Sequence, residues 1–245
     1  MGVGCRREAV RVVGNMKFDT AMLTETRRLD AMKLLQQLGV EEGAPVIVAG
    51  STHDGEEVVL AEIYRRLKAK FPKLFLVLVP RHFERAKEVA RQLESRGMKF
   101  LLRSNVNYLV DLAPGSLECL LVNTTGELRF FYETASVVFV GKSLTAHGGQ
   151  NPIEPAILGK PVVFGPNMEN FQEITKSFVT AGGALQVRDA AGLEAALEDL
   201  LANPARGAEL GRRATDVVRQ NHGAVERTVE MILPHLRQRG IYVTG

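Results

Sequence analysis

Tryptophan is absent from this chain, cysteine occurs only twice, and aromatic residues make up 6% of the sequence. The missing tryptophan decides nothing. Cys5 and Cys119 lie far apart and fit no metal-binding or CxxC spacing, so no metal site and no disulfide framework is expected. A reducing cytoplasm is the simpler setting for such a chain. No run of about 18 apolar residues occurs, so no spanning helix is expected. Met1 to Arg7 leads into a short apolar run rather than a long one, so no secretory signal is legible. Net charge is only +3, which creates no demand for nucleic acid as a partner. A small cationic excess suits a phosphate ligand or an anionic membrane surface.

What is present is ordinary for a globular protein: 45% hydrophobic and 24% charged residues over 245 positions. That length suffices for one large or two small domains. No repeat, low-complexity stretch or linker interrupts it, so residues 1–245 are expected to form one domain. Short apolar runs at Val10–Val13, Val46–Ala49, Phe75–Val79, Lys99–Leu102, Cys119–Val122, Ser136–Val140, Pro161–Phe164 and Ala184–Val187 predict strands buried on both faces. Amphipathic segments at Thr24–Leu38, Glu56–Lys70, Phe83–Arg96 and Phe171–Ala181 predict helices between them. The alternation predicts an α/β fold with a parallel sheet. Ala190–Leu201, Ala205–Asn221 and Ala224–Arg237 predict three further helices at the carboxyl-terminal end.

Ligands of open parallel sheets bind beyond the carboxyl ends of the strands, and several loops there are polar and glycine-rich. After Val46–Ala49 come Ser51, Thr52 and His53, which either hold a phosphate or sugar or cap the next helix. Arg81 stands where Phe75–Val79 ends, placed to pair with phosphate through its planar fork. Arg85, one turn on, pairs with Glu84 or faces solvent. Thr125, Gly126 and Glu127 either line a base or ribose pocket or start a capped helix. Ser143 lies in the polar loop that follows Ser136–Val140 and begins at Gly141. Asn170 is the expected cap of the helix beginning at Phe171. The strongest signal is Gly148-Gly149-Gln150-Asn151-Pro152-Ile153-Glu154-Pro155. Glycines let the main chain approach a ligand, and the prolines mark a helix start. Bare N–H groups there would attract phosphate, with Glu154 accepting from ribose hydroxyls.

In this order the motifs resemble the carboxyl-terminal half of the Kdo transferases of Gram-negative lipopolysaccharide synthesis. The matching pieces are Gly14–Asp19, Gly50–Glu57, Pro80–Arg85, Thr125–Leu128, Gly148–Pro155 and Gly165–Phe171, spanning roughly residues 10 to 235. The resemblance implies a GT-B architecture with Rossmann-like domains. It implies inverting transfer of Kdo from CMP-Kdo to a lipid A precursor, without metal or other cofactor. Glu154 then resembles the ribose carboxylate, and Arg81 with the Gly148–Asn151 backbone the contacts to phosphate or to the Kdo carboxylate. Lys142 stands where the family is expected to carry a second glycine, so the loop is either stiffer or holds an added cation. Asn123 replaces an expected Asp. The family's amino-terminal half, with acceptor site, membrane surface and catalytic base, has no counterpart in this sequence. The chain is therefore expected to be a fragment or a truncated paralogue that binds donor and transfers nothing alone, the full enzyme working at the cytoplasmic face of the inner membrane. The competing readings are another GT-B-like enzyme (a UDP-sugar transferase or an epimerase) and a non-enzymatic nucleotide-binding or assembly module. No nucleophile elbow supports a hydrolase.

Overall fold

Alternate residues of the central strands face opposite sides, because successive side chains of a strand point to opposite faces. Val46 and Val48 enter one buried apolar cluster, while Ile47 and Ala49 enter another. Phe75, Val77 and Val79 join the first, and Leu76 and Leu78 the second. Both faces are therefore core. The computed structural model describes residues 4, 10–20, 29–106 and 111–238.

The strands are β1 Val46–Thr52, β2 Phe75–Pro80, β3 Phe100–Leu102, β4 Cys119–Leu121, β5 Val137–Val140, β6 Val162–Phe164 and β7 Ala184–Gln186. They form one sheet in the order β3-β4-β2-β1-β5-β6-β7. Every pairing is parallel. The described helices are α1 Lys17–Thr20, α2 Ala31–Gln37, α3 Glu56–Lys70, α4 Ala86–Glu94, α5 Leu128–Thr134, α6 Ile153–Ile157, α7 Gln172–Thr180, α8 Ala190–Ala202, α9 Pro204–Asn221 and α10 Ala224–Gln238. One face is covered by α3, α4 and α8 through Leu60, Ile63, Leu67, Val89, Leu193 and Leu197. The other takes α2, α5, α6, α7 and much of α9 through Leu35, Phe131, Ile153, Phe178 and Val218. Each such fully buried side chain contributes roughly 1.5–3 kcal/mol relative to exposure. Cys119 is fully buried in the sheet, and burial pushes its thiol pKa far up, so it behaves as an apolar residue.

Local chemistry sets the helix ends. Asp30 accepts the Lys33 N–H at 3.0 Å to start α2, and Asp189 accepts the Gly192 N–H at 2.8 Å to start α8. Pro204 opens α9, where its missing N–H costs nothing. Among the described residues no helix is long and apolar enough to cross a membrane.

Seven of the eight expected strands form. Val10–Val13 does not: it is irregular, and Val12 is 94% exposed. A four-residue run interrupted by Arg11 has no strand to pair with among the described residues. Residues 24–28 of the expected Thr24–Leu38 helix, and Cys5, lie outside the described residues. Asn170 does not cap α7. A 3₁₀ turn at Glu169–Phe171 precedes that helix, and the residue at its start, Phe171, has no side-chain cap.

Because β1 lies between β2 and β5, the chain winds one way from β1 and the other way from β5. This is the point where a doubly wound sheet opens a crevice. The loops after β1 and β5 stand side by side there.

Candidate functional site

Those two loops are joined by a buried carboxylate. Glu56, the first residue of α3, is fully enclosed. Its Oε1 accepts the main-chain N–H of Ser143 and of Leu144, each at 2.9 Å. Its Oε2 accepts the N–H of Lys142 at 2.8 Å and of His53 at 2.9 Å. Four main-chain donors thus converge on one side chain, which satisfies its desolvated charge. Thr145 Oγ1 adds a bond to the Asp54 carbonyl at 2.7 Å.

The chain also turns through the left-handed region on a residue with a side chain at the end of β1 and in the loop after β5, Ser51 at φ 55° and Lys142 at φ 56°. That conformation is costly for residues other than glycine. Gly141 must be glycine, since a Cβ there would lie 2.6 Å from the Ser51 carbonyl oxygen and from Thr52 Cα.

Beneath the loops lies a second buried acid. Glu57 is fully enclosed. It accepts from Thr52 Oγ1 at 2.9 Å and from Arg85 Nη1 at 2.7 Å. Burial raises the Glu57 pKa above the usual carboxylate value, against the lowering effect of Arg85 and Thr52. Thr52 is thereby spent inside the protein, and Arg85 pairs with Glu57 rather than with Glu84. Neither Ser51 nor Thr52 caps α3, which follows the left-handed Gly55 without a side-chain cap. His53 is half-buried, with its ring edge-on to His82 at 5.8 Å. Burial lowers its pKa, Lys142 and His82 lower it further, and the Ser51 carbonyl and Glu56 oppose them.

The glycine loop departs from expectation. Its amides were expected to be bare, yet Gly148 N–H donates to Glu169 Oε2 at 2.7 Å and Gly149 N–H to the Lys142 carbonyl at 2.9 Å. The glycines are needed for packing: a Cβ on Gly148 would lie 2.7 Å from Asn170 Nδ2, and one on Gly149 2.4 Å from Met168 Sδ. Ser143 is fully buried, donating to the Val140 carbonyl at 2.6 Å and accepting from Gly165 N–H at 2.9 Å. It fastens the loop after β5 to the loop after β6 and faces no open space. The Gln150 and Asn151 N–H groups make no hydrogen bond among the described residues. Asn151 Oδ1 accepts the Ile153 N–H at 3.1 Å, and its Nδ2 donates to Glu154 Oε1 at 3.1 Å. The side chain of Asn151 thus starts α6 and aims the Glu154 carboxylate. Glu154 also lies near Tyr132, whose hydroxyl pKa is raised first by burial and then by that carboxylate. With five residues, α6 is little more than one turn, so loop amides rather than a long aligned dipole would attract an anion.

Arg81 is exposed at the end of β2, its N–H donating to the Thr52 carbonyl at 3.0 Å. Its guanidinium has no partner among the described residues. Thr125 and Gly126 are exposed after β4. Glu127 is committed to Arg103 at 2.9 Å and to the Thr124 hydroxyl. Asn123 Oδ1 accepts the Ser104 N–H and its Nδ2 donates to Ser104 Oγ, each at 2.9 Å. A carboxylate at position 123 could not make that second bond. Ser51, His53, Arg81, Gln150, Asn151 and Glu154 are therefore the expected site residues left at the crevice around β1 and β5, and Lys142 joins them. The Thr125–Glu127 turn stands on the same edge of the sheet, beyond β2. No cluster of three or more His, Cys, Asp and Glu groups placed to hold a metal occurs among the described residues.

Sequence reasoning missed Glu56, Glu57 and Glu169. Adjacent acids after a glycine in Gly55-Glu56-Glu57 are a legible signal for the first two, read there only as an acidic helix start. Their partners lie on other loops, so pattern alone does not find them.

A doubly wound parallel sheet with polar loops at its switch point defines the protein as a Rossmann-like domain of the GT-B glycosyltransferase class, carboxyl-terminal type. It is similar to the crystal structure of the C-terminal CMP-Kdo binding domain of WaaA from Acinetobacter baumannii, with a TM-score of 0.69 and 29% identity, covering 82% of this chain and 97% of that one. The sequence is 34% identical to the 3-deoxy-D-manno-octulosonic acid transferase of Haemophilus influenzae over 96% of this chain and 54% of that protein. It is 34% identical to the transferase of the same name from Bordetella pertussis over 91% of this chain and 51% of that protein. The chain belongs to the 3-deoxy-D-manno-octulosonic acid (Kdo) transferase family. It spans about half the length of the curated relatives it matches. No family model matches the sequence.

Proposed function

We propose that residues 1–245 form one donor-binding domain, the half of an inverting, metal-independent glycosyltransferase that holds CMP-Kdo. The acceptor is a lipid A precursor, delivered through an amino-terminal domain at the cytoplasmic face of the inner membrane. That domain also supplies the general base, so this chain alone binds donor and transfers nothing. No cofactor is involved. Glu154 accepts from the ribose hydroxyls. Arg81 and the Gln150 and Asn151 amides hold the phosphate or the Kdo carboxylate, stabilising the departing CMP as charge develops on it.

One observation carries this reading: Asn151 aims the Glu154 carboxylate at 3.1 Å, beside the Gln150 and Asn151 amides, which like the exposed Arg81 guanidinium at the end of β2 have no partner among the described residues. Calorimetric titration with CMP tests it. CMP is expected to bind, and UDP to bind more weakly. Glu154→Ala and Arg81→Ala are each expected to weaken CMP roughly tenfold, in line with the strength of charged hydrogen bonds. No heat with CMP, preference for UDP, or variants equal to the parent would overturn the reading.

A further inference from the structure

Lys142 shares with Ser51 a left-handed backbone that is costly for a residue with a side chain. Its backbone sits at φ 56°, a conformation that glycine adopts freely and lysine does not. The surroundings force it there. Its N–H is held by Glu56 Oε2 at 2.8 Å, and its carbonyl is held by the Gly149 N–H at 2.9 Å. Strain of this kind persists where the structure over-determines it, and it marks functional sites.

The side chain is not used to hold the fold. Its Cε lies across the glycine loop, 3.6 Å from where a Cβ on Gly148 would stand. Its charge is felt by His53 on the loop after β1. Yet its ammonium has no hydrogen bond or ion pair among the described residues. The acids around it are already engaged. Glu56 is saturated by four amides, Glu169 by His147 and Gly148, and Asp54 pairs with Arg85 at 3.3 Å. A lysine at a strained position, half-buried at the switch point and without a counter-charge among the described residues, is a cation awaiting an anion.

We propose that Lys142 is a donor-affinity residue, its ammonium binding the phosphate of the nucleotide across the Gly148 loop. This inference rests on the donor-site reading above and adds to it a contact made by a side chain where glycine is the easier residue. The loop gives up backbone freedom and gains a positive charge, which shifts recognition towards electrostatics.

The variants Lys142→Gly and Lys142→Asn in this chain separate charge from stiffness, because both tolerate a left-handed backbone and neither is charged. Three measurements are made beside the parent and Glu154→Ala: thermal midpoint, CMP titration, and CMP titration at raised salt. Lys142→Gly is expected to melt at or above the parent temperature while binding CMP about five- to tenfold more weakly, the range of a partly exposed charged hydrogen bond. Lys142→Asn is expected to bind as weakly as Lys142→Gly. Both are expected to lose part of the parent's salt dependence, since screening acts on the contact they lack. Parent-like CMP affinity in either variant overturns the role of Lys142, and the donor reading then stands if Glu154→Ala still weakens binding. A lowered melting temperature together with lost affinity also overturns it, by showing a purely structural part. A parent that binds no CMP overturns the donor reading and this inference with it.

Discussion

The carboxylate of Glu56 accepts the main-chain N–H of Ser143, 87 residues further along the chain, at 2.9 Å, with both residues fully buried. The helix after β1 thereby carries the loop after β5. The same side chain also binds Lys142, Leu144 and His53.

Glu56→Ala removes the acceptor for four amides at once. Leaving buried donors unsatisfied costs about 1–3 kcal/mol each before relaxation, so a loss of roughly 3 kcal/mol or more is expected in urea denaturation. Faster hydrogen exchange at residues 142–144 should accompany it. Full stability in this variant would mean that water or another side chain replaces Glu56.

Arg85→Ala strands the enclosed Glu57 charge, whose pair measures 2.7 Å. Breaking such a pair from one side costs about 3 kcal/mol. The loss should depend on pH with a definite sign. Burial already raises the Glu57 pKa, and removing Arg85 raises it further. A raised folded-state pKa favours the fold at low pH and penalises it as pH rises through that value. The Arg85→Ala deficit is therefore expected to be largest near neutrality and to shrink on acidification, read from denaturation midpoints across pH.

Gly50 and Tyr132 are expected to be energetically coupled. A Cβ on Gly50 would lie 2.1 Å from the Tyr132 hydroxyl oxygen and 2.8 Å from Cζ. Gly50→Ala should cost roughly 1–3 kcal/mol by overpacking. Combining it with Tyr132→Phe, which removes the nearest atom, should recover part of that cost. A double-mutant cycle with coupling below about 0.5 kcal/mol would contradict the contact.

Asp19 latches the early segment to α10: Oδ1 accepts from Gly223 N–H at 2.6 Å and Oδ2 from Val225 N–H at 2.7 Å. Burial pulls its pKa up, but the Val225 and Gly223 amides and His222 outweigh it and leave it below 3.8. The latch thus stabilises above that value and is lost as pH falls through the folded-state pKa. Asp19→Ala should cost about 1 kcal/mol, as for a lost helix cap, and speed exchange of the α10 amides while leaving the sheet protected.

Much of this architecture is legible in the amino-acid sequence. Phe75–Val79 is a continuous apolar run that stops at Pro80, Ser136–Val140 is apolar after its first residue and stops at Gly141, and both are strands at the predicted places. The Glu56–Lys70 helix begins and ends where its pattern does. Val10–Val13 is a shorter run, interrupted by Arg11, that has no pairing partner among the described residues, and pairing is not written in four residues. Loop positions were legible and loop chemistry was not. Gly148 and Gly149 advertise close approach, but the approaching groups are Asn170 and Met168. Ser143 looked like a ligand contact and is a buried fastener. In each instance the deciding partner comes from another loop, which the tertiary fold alone brings near.

The hanging of one loop upon a carboxylate from a distant helix limits how this crevice can diverge. An insertion after β5 or a shift in the start of α3 would misalign the four-way grip, so neither stretch can change length by itself. Novelty is freer at positions such as Lys142, whose main chain is fixed by others while its ammonium makes no hydrogen bond or ion pair among the described residues. Lineages of this fold are thus expected to vary the decoration of the loop and to keep its anchorage.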